Sequence, residues 1–366
     1  MLKKLLTIAV IAVSVLSAQR QSTSNAQKGT WNFNPQKLWE ISKTGDENFG
    51  RPAEPRIGND EILYVRDFDK KFSYIIDKDG DVTSTFAIQN GENPDIPMYI
   101  NCFTVDDEVI VAAMDKLYFY NNTGKLLNTL PNNIFVRFPY TFIDANKIFL
   151  GPGALAGIPN GTADITLVDV KNNKEQKFAE ITLSEVEKNM PPGGVVVGLI
   201  PQILMAYDKE NGKVYYAKNS DYKIYCADEN GNIISSFGRN IPKKFVSIEQ
   251  KKDHLKFFVG DNMTDEQITQ MVTGMPDSLA YFHNMIFNNG LIYVLRMNEL
   301  STESHSQEID IFSTDGKYLY NGAIDFGDYY YQNPGNVQIK DDTMYAILIN
   351  KNGEKVIVKY KLNIPT

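Results

Sequence analysis

One unit, repeated about every 44 residues, constrains the fold of this chain more than any other feature. Its clearest copy is residues 61–86, where three apolar, aromatic-rich runs are separated by a short polar turn and by Asp79-Gly80. Runs of this kind, joined by tight turns, are typical of antiparallel strands in hairpins. The next matching turn is at Gly124, 44 residues after Gly80, a spacing that suits one four-stranded blade of a β-propeller.

Six such units account for most of the chain. After the first, the others cover residues 98–130, 135–181, 202–237, 281–324 and 336–364. The spacing from Gly231 to Gly316 is 85 residues, and it returns to 44 when residues 240–280 are left out. Within that stretch, Ser247 with Gln250 and Thr264 with Gln267 match capping boxes, and apolar residues follow at helical spacing. The pattern therefore predicts a two-helix insertion between blades four and five.

The two ends of the chain complement each other. The sixth unit lacks an outer strand, whereas residues 37–41 form a lone β segment with no hairpin partner beside it. An open solenoid would leave both terminal sheets uncapped. A closed ring removes those edges, because the N-terminal segment completes the last blade. We therefore predict an all-β fold over residues 36–366, a six-bladed propeller with Trp39 close to Val358.

The N-terminus resembles an export signal. Two lysines precede an apolar run that ends in Val-Leu-Ser-Ala18, which predicts a signal peptide at residues 1–18; an uncleaved anchor is the alternative. We expect a disordered leader at 19–35, because this stretch is polar. The signal places the protein in the periplasm, at the cell surface or outside the cell. The two cysteines, Cys102 and Cys226, fall in different blades, so we expect two separate thiols.

Charge and hydropathy exclude two classes of partner. The formal net charge is −8, and an acidic surface repels phosphate backbones, so we expect no nucleic acid. No later segment is long and apolar enough for a membrane helix. We expect a monomer that binds a protein, peptide or glycan.

The repeated motif resembles that of NHL-like six-bladed propellers. It is an Ile/Leu-Tyr-Val run, a polar turn, an aromatic run and Asp/Asn-Gly, as in residues 62–65 with Asp79-Gly80 and 292–294 with Asp315-Gly316. Residues 264–282 are similar to the helical insertion of exported bacterial propellers. This resemblance implies the fold, but propellers serve binding, scaffolding and hydrolysis alike. It also admits an enzymatic alternative, in which carboxylates and amides from separate blades hold a channel cation such as Ca²⁺.

No contiguous catalytic or metal-binding motif is present. The three histidines, His254, His283 and His305, lack metal-ligand spacing, and no nucleophile elbow or phosphate loop occurs. We expect His254 and His305 to be exposed. The acids around Gly80 resemble a calcium loop, but the glycine and the twelfth residue do not fit an EF-hand, so a hairpin turn explains them better. We therefore assign no catalytic residue, no metal ligand and no cofactor.

A few candidate binding residues remain. Arg66, Lys218 and Arg296 each follow an inner hairpin strand of their own blade. At equivalent positions they would ring one face and attract anions; the alternative is exposed or ion-paired side chains. His283 begins an inner strand, where it either faces the central channel or packs.

Three functions fit these observations. The first is an exported binding or scaffold module for a protein, peptide or glycan. The second is a metal-dependent hydrolase or lactonase-like enzyme with a cation in the channel. The third is an envelope component whose activity resides in a partner.

Overall fold

The computed structural model describes residues 26–365, except for gaps at 59–60, 71, 87–98, 106–107, 114–115, 132–139, 145, 152–154, 156–160, 173, 189–197, 260–262, 298, 301–302 and 333. The predicted signal peptide and the Pro- and Gly-rich connection at 190–194 lie outside the described residues, as does Gly260.

The strands form six four-stranded antiparallel blades, as the repeat spacing predicts. Blades 1 to 3 consist of Pro52–Ile57, Leu63–Asp67, Phe72–Ile76 and Val82–Phe86; Tyr99–Val105, Glu108–Ala113, Lys116–Asn121 and Leu126–Pro131; and Tyr140–Asp144, Lys147–Leu150, Thr162–Asp169 and Lys174–Thr182. Blades 4 and 5 consist of Ile203–Asp208, Lys213–Lys218, Lys223–Asp228 and Ile233–Gly238; and Phe282–Asn288, Leu291–Arg296, Ser306–Ser313 and Tyr318–Asp325. Blade 6 consists of Val337–Lys340, Thr343–Ile349, Lys355–Lys361 and the N-terminal strand Gln36–Ile41. Cys102 and Cys226 lie in blades 2 and 4, and Cys226 is a buried free thiol.

The ring is closed. The first strand of each blade contacts the first strand of the next, and that of blade 6 contacts that of blade 1. Gln36–Ile41 pairs antiparallel with Lys355–Lys361, with Glu40 opposite Val358 and Trp39 opposite Lys359. The predicted closure by the N-terminal strand is confirmed. Second strands such as Thr343–Ile349 are buried along their whole length, because a neighbouring blade covers each face.

Trp39 holds the closing strand against blade 1. Its indole Nε1 donates to the carbonyl oxygen of Lys78 at 2.9 Å. The same indole lies so close to Gly80 that an added Cβ there would meet its ring carbons at 3.0–3.3 Å. Gly80 also has φ +95°, a left-handed conformation that favours glycine. The Asp-Gly turn that marks the repeat is therefore also a docking point between the two ends of the ring.

Residues 26–35 differ from the predicted disordered leader. Thr30–Asn32 is a strand that pairs in parallel with the outer strand of blade 5, and Phe33 is fully buried. The carbonyl of Phe33 accepts from the backbone N–H of Asn363 at 2.7 Å, and Trp31 Nε1 donates to the carbonyl of Asn363 at 2.9 Å. Two aromatic side chains and the chain's C-terminal segment thus fix a polar stretch that composition alone marks as disordered.

The insertion between blades 4 and 5 forms the predicted pair of helices, Ile248–Val259 and Asp265–Thr273. Ser247 with Gln250 and Thr264 with Gln267 make the reciprocal hydrogen bonds of two capping boxes. The helices share an apolar core of their own with the start of blade 4 and with Met297. His254, on the first of these helices, is only 5% exposed, so the prediction that it is exposed is wrong. His305 is exposed, as expected.

One end of the propeller collects the longer connections. We call it the connection face: the end at which the first strand of each blade begins and the second strand ends. The helical insertion and the short helix Glu185–Lys188 lie in connections at this end, and so does the small hairpin of Lys43–Thr44 and Glu47–Asn48. None of the helices within the described residues has the length and apolarity needed to cross a membrane.

Candidate functional site

All four residues singled out from the sequence lie at the connection face. The three cations among them, however, do not all occupy the same position in their blades. Tyr64, Tyr215 and Tyr293 occupy matching positions, each packed against the following blade. Arg66 is two residues after its tyrosine, whereas Lys218 and Arg296 are three residues after theirs. Side chains alternate between the faces of a strand, so Arg66 lies on the opposite side of its blade from the other two. The predicted ring of equivalent cations is therefore wrong in register.

Lys218 is buried in an ion pair. Its Nζ lies 2.9 Å from Oε2 of Glu187 and 3.1 Å from Asp221, and Ser220 donates to the other oxygen of Glu187 at 2.6 Å. Burial raises the pKa of Glu187, but the hydrogen bonds from Lys218 and Ser220 outweigh it, and the net pKa is lowered. The pair joins the short helix after blade 3 to blade 4. This lysine is thus held by carboxylates of its own chain.

Arg296 belongs to a buried cluster around Asp310. Arg239 Nη1 lies 2.8 Å from both oxygens of Asp310, and Arg296 Nη1 lies 3.2 Å from Oδ2. Tyr318 donates to Oδ1 at 2.9 Å, and Tyr222 donates to Oδ2. Burial, followed by the charge of Asp310, raises the pKa of Tyr222 well above its usual value.

This cluster joins the two ends of the helical insertion. Arg239 is the last residue before it, and Arg296 Nε donates at 3.2 Å to the carbonyl of Tyr281, the first residue after it. The Asp310 cluster therefore has a structural role, since it links the two ends of the insertion, and it is not an open anion site.

His283 packs between blades 5 and 6. Its Nε2 lies 2.9 Å from Oε1 of Gln307, whose amide nitrogen donates to the carbonyls of Arg296 and Glu308. Since that nitrogen donates to two carbonyls, Oε1 is the acceptor, and we assign the imidazole proton to Nε2. Tyr331 also donates to Oε1 at 3.2 Å. Burial lowers the pKa of His283 to about 4, so this histidine is neutral at pH 7.

Arg66 lies close to a pocket where the ring closes. Its guanidinium sits 3.7 Å from the ring centre of Phe68, and Phe68 lines a cavity of about 500 Å³ between blades 6 and 1 at the connection face. Small ligands are typically bound in pockets of about 300–1,000 Å³. The apolar lining is Pro52, Ala53, Phe68, Ile347, Leu348 and Ile349. This pocket is a candidate binding site in the described part of the chain.

The polar lining of the pocket is cationic and amide-bearing: Arg51, Gln332, Asn336 and Lys355. No described lining residue is acidic, although the chain as a whole carries a net charge of −8. Asn336 is 9% exposed, and its Oδ1 has no hydrogen-bond partner among the described residues. A buried amide oxygen without a partner is unusual in a native fold and marks a position to be explained.

Asp67 fixes the backbone that carries Arg51. Its fully buried carboxylate accepts from the backbone N–H groups of Gly50 at 2.8 Å and Arg51 at 3.0 Å, and from two residues of its own turn. Gly50 is required here, because an added Cβ would lie 2.9 Å from the Asp67 carboxylate. From blade 6, Lys355 Nζ donates to the carbonyl of Gly50 at 2.8 Å. The pocket is thus preorganised from both sides of the ring closure.

Sequence reasoning missed this site, because its parts lie about 300 residues apart along the chain and form no motif. The only signal that could have found it is ring closure, which brings the connection before blade 6 next to the start of blade 1. No group of three or more His, Cys, Asp or Glu side chains that could hold a metal ion occurs among residues for which the structure gives positions.

Comparison with known proteins supports the fold. No protein-family model matches the sequence, and no curated protein matches it. Among solved structures, a member of the DUF4221 family from Bacteroides vulgatus is similar with a TM-score of 0.57 and 11% identity, over 91% of this chain and 99% of that one. Virginiamycin B lyase from Staphylococcus aureus has a TM-score of 0.45 and 10% identity, over 91% and 100% of the two chains. Regucalcin, a calcium-binding protein from Agrobacterium tumefaciens, has a TM-score of 0.43 and 8% identity, over 94% and 98%.

Proposed function

We propose that this chain is an exported peptide-binding propeller whose binding site is the pocket between blades 6 and 1. The observation that carries the proposal is the composition of that pocket, which places two cations and two amides around an apolar floor. Mostly apolar pockets with a few placed polar groups are the usual form of small-ligand sites. Export is supported by the N-terminal sequence, and the Asp-Gly repeat supports a relationship to NHL-like propellers.

The pocket lining favours a peptide over a glycan. Its floor is largely aliphatic, because Pro52 and the last residues of the buried strand Thr343–Ile349 form most of it. The one aromatic lining residue, Phe68, is covered by the guanidinium of Arg66 at 3.7 Å and approached by that of Arg51 at 5.1 Å. Aliphatic side chains fit such a floor, and the amides of Gln332 and Asn336 can pair with peptide groups. Within the described residues, no cluster of carboxylates or histidines favours the alternative of a metal-dependent hydrolase.

A bulky substitution at Gln332 tests this proposal. Gln332→Trp places an indole in a partly exposed part of the pocket wall, so we expect it to weaken binding of short peptides by roughly tenfold or more. Gln202→Trp is the matched control, since Gln202 is also partly exposed at the connection face but belongs to blade 4. Binding would be measured by fluorescence anisotropy with a library containing free and amidated C-termini. Equal binding by the wild type and both variants, or no binding by any of them, would overturn the proposal.

A further inference from the structure

The charges in the pocket point to an anionic group on the ligand. We infer that the pocket binds the C-terminal carboxylate of a peptide that ends in an aliphatic residue, an inference that rests on the proposed peptide-binding function. Arg51 and Lys355 line one cavity of an acidic protein, and none of the described lining residues offsets them. A carboxylate is the peptide group that complements two such cations.

Both cations keep donors for a ligand. Arg51 uses only its side-chain Nε, which lies 3.4 Å from Oδ1 of Asp69, and both of these side chains are more than half exposed. An ion pair of that kind is weak. The terminal Nη groups of Arg51 make no hydrogen bond to any residue that the structure describes. Lys355 spends one N–H on the carbonyl of Gly50 and retains two.

The rest of the pocket matches the group that precedes a terminal carboxylate. The last residues of the second strand of blade 6, including Ile347 and Ile349, are aliphatic and offer a floor for an apolar side chain. Asn336 offers an acceptor that lacks a donor within the described structure. This oxygen is itself buried, so the amide has to turn about its last side-chain bond, which is soft in asparagine, in order to accept the N–H of a bound terminal residue. Carboxylate, side chain and amide would thus each have a partner.

Two sources of a carboxylate must be distinguished, the chain terminus and an acidic side chain. The probe is one fluorescein-labelled peptide that ends in leucine, prepared with a free C-terminus, with an amidated C-terminus, and in an amidated form with aspartate before the leucine. We expect the free acid to bind at least about tenfold more tightly than either amidated peptide, because the amidated terminus loses the charge-assisted hydrogen bonds. We also expect salt to weaken binding of the free acid more than that of the plain amide.

The variant Arg51→Met tests the residue assignment. It removes the charge from an exposed side chain, so the fold is expected to persist, and circular dichroism checks this. We expect it to weaken the free acid roughly tenfold and to leave the amide unchanged. Lys351→Met is the control, since Lys351 is exposed in a turn at the same face but does not line the pocket.

Three results would overturn the inference. The first is equal binding of acid and amide, which would leave the peptide-binding function standing. The second is an amidated aspartate peptide that binds as tightly as the free acid. The third is an Arg51→Met variant that weakens acid and amide alike.

Discussion

Replacing Asp310 with alanine is expected to lower the free energy of unfolding by about 3–5 kcal/mol, because it leaves two guanidiniums without their counter-charge. The side chains of Arg239 and Arg296 are each only 12% exposed, and both contact this one carboxylate. Two tyrosine hydroxyls would lose their acceptor as well. The cluster links both ends of the helical insertion, so the loss of the Asp310 carboxylate should also destabilise that region.

Urea unfolding measures this effect. Two probes, the fluorescence of Trp31 and Trp39 and circular dichroism, show whether a single transition occurs. Asp315→Ala is the matched control: it removes a carboxylate of the same blade whose ion pair with Lys317 is half exposed, so we expect a loss below about 1 kcal/mol. If Asp310→Ala lowers the free energy of unfolding no more than this control does, the claim that the Asp310 carboxylate stabilises two buried cations is contradicted.

Acidification is expected to destabilise the wild type through His283. The pKa of this histidine is about 4 in the folded chain and 6.5 in the unfolded chain. The unfolded state therefore binds more protons over this interval, and stability is lost as the pH falls from about 6.5 to 4. Between pH 7.5 and pH 4.5 the contribution of His283 amounts to about 2.5 kcal/mol.

The variant His283→Gln isolates that contribution. Glutamine can still donate to Gln307 but does not titrate, so the variant should lose about 2.5 kcal/mol less than the wild type between the two pH values. The other titrating groups, including the buried His254, are common to both proteins and cancel in the comparison. Parallel pH profiles of the two proteins would show that His283 titrates normally and is not buried as described.

Most of the architecture follows from the sequence, because it depends on features that repeat. A polar residue followed by glycine marks the same turn in four blades, 44 residues apart from Gly80 to Gly124 and, without the insertion, from Gly231 to Gly316. All four glycines have positive φ. A last unit that lacks one strand and a lone N-terminal strand then predict closure, which the pairing of Glu40 with Val358 confirms. The helical insertion follows from its two capping boxes in the same way.

The features that escaped prediction depend on contacts between distant residues. His254 looks exposed in its helix, because the sequence does not show how that helix packs against the second helix and the residues just before blade 4. The strand Thr30–Asn32 is short and polar, and its partner in blade 5 is almost 300 residues away. Arg66 and Lys218 both follow an inner hairpin strand, but their registers differ by one residue. The difference becomes visible only from Tyr64 and Tyr215, which pack against the following blade and fix the phase of each strand.

The pocket illustrates the same limit. Its residues are ordinary one by one, and Arg51 or Lys355 carries no motif. Only the closed ring places them in one cavity, and the burial of Asn336 becomes visible only then.

Hydrogen exchange followed by mass spectrometry, with and without the free-acid peptide that ends in leucine, tests the proposed site most directly. We expect slower exchange on binding in peptic fragments that cover residues 51–68 and 332–355, and no change in the fragment around the Asp310 cluster. Protection confined to residues 239–281 or to another blade interface, with none at 51–68 and 332–355, would contradict the assignment of the binding site to the ring closure.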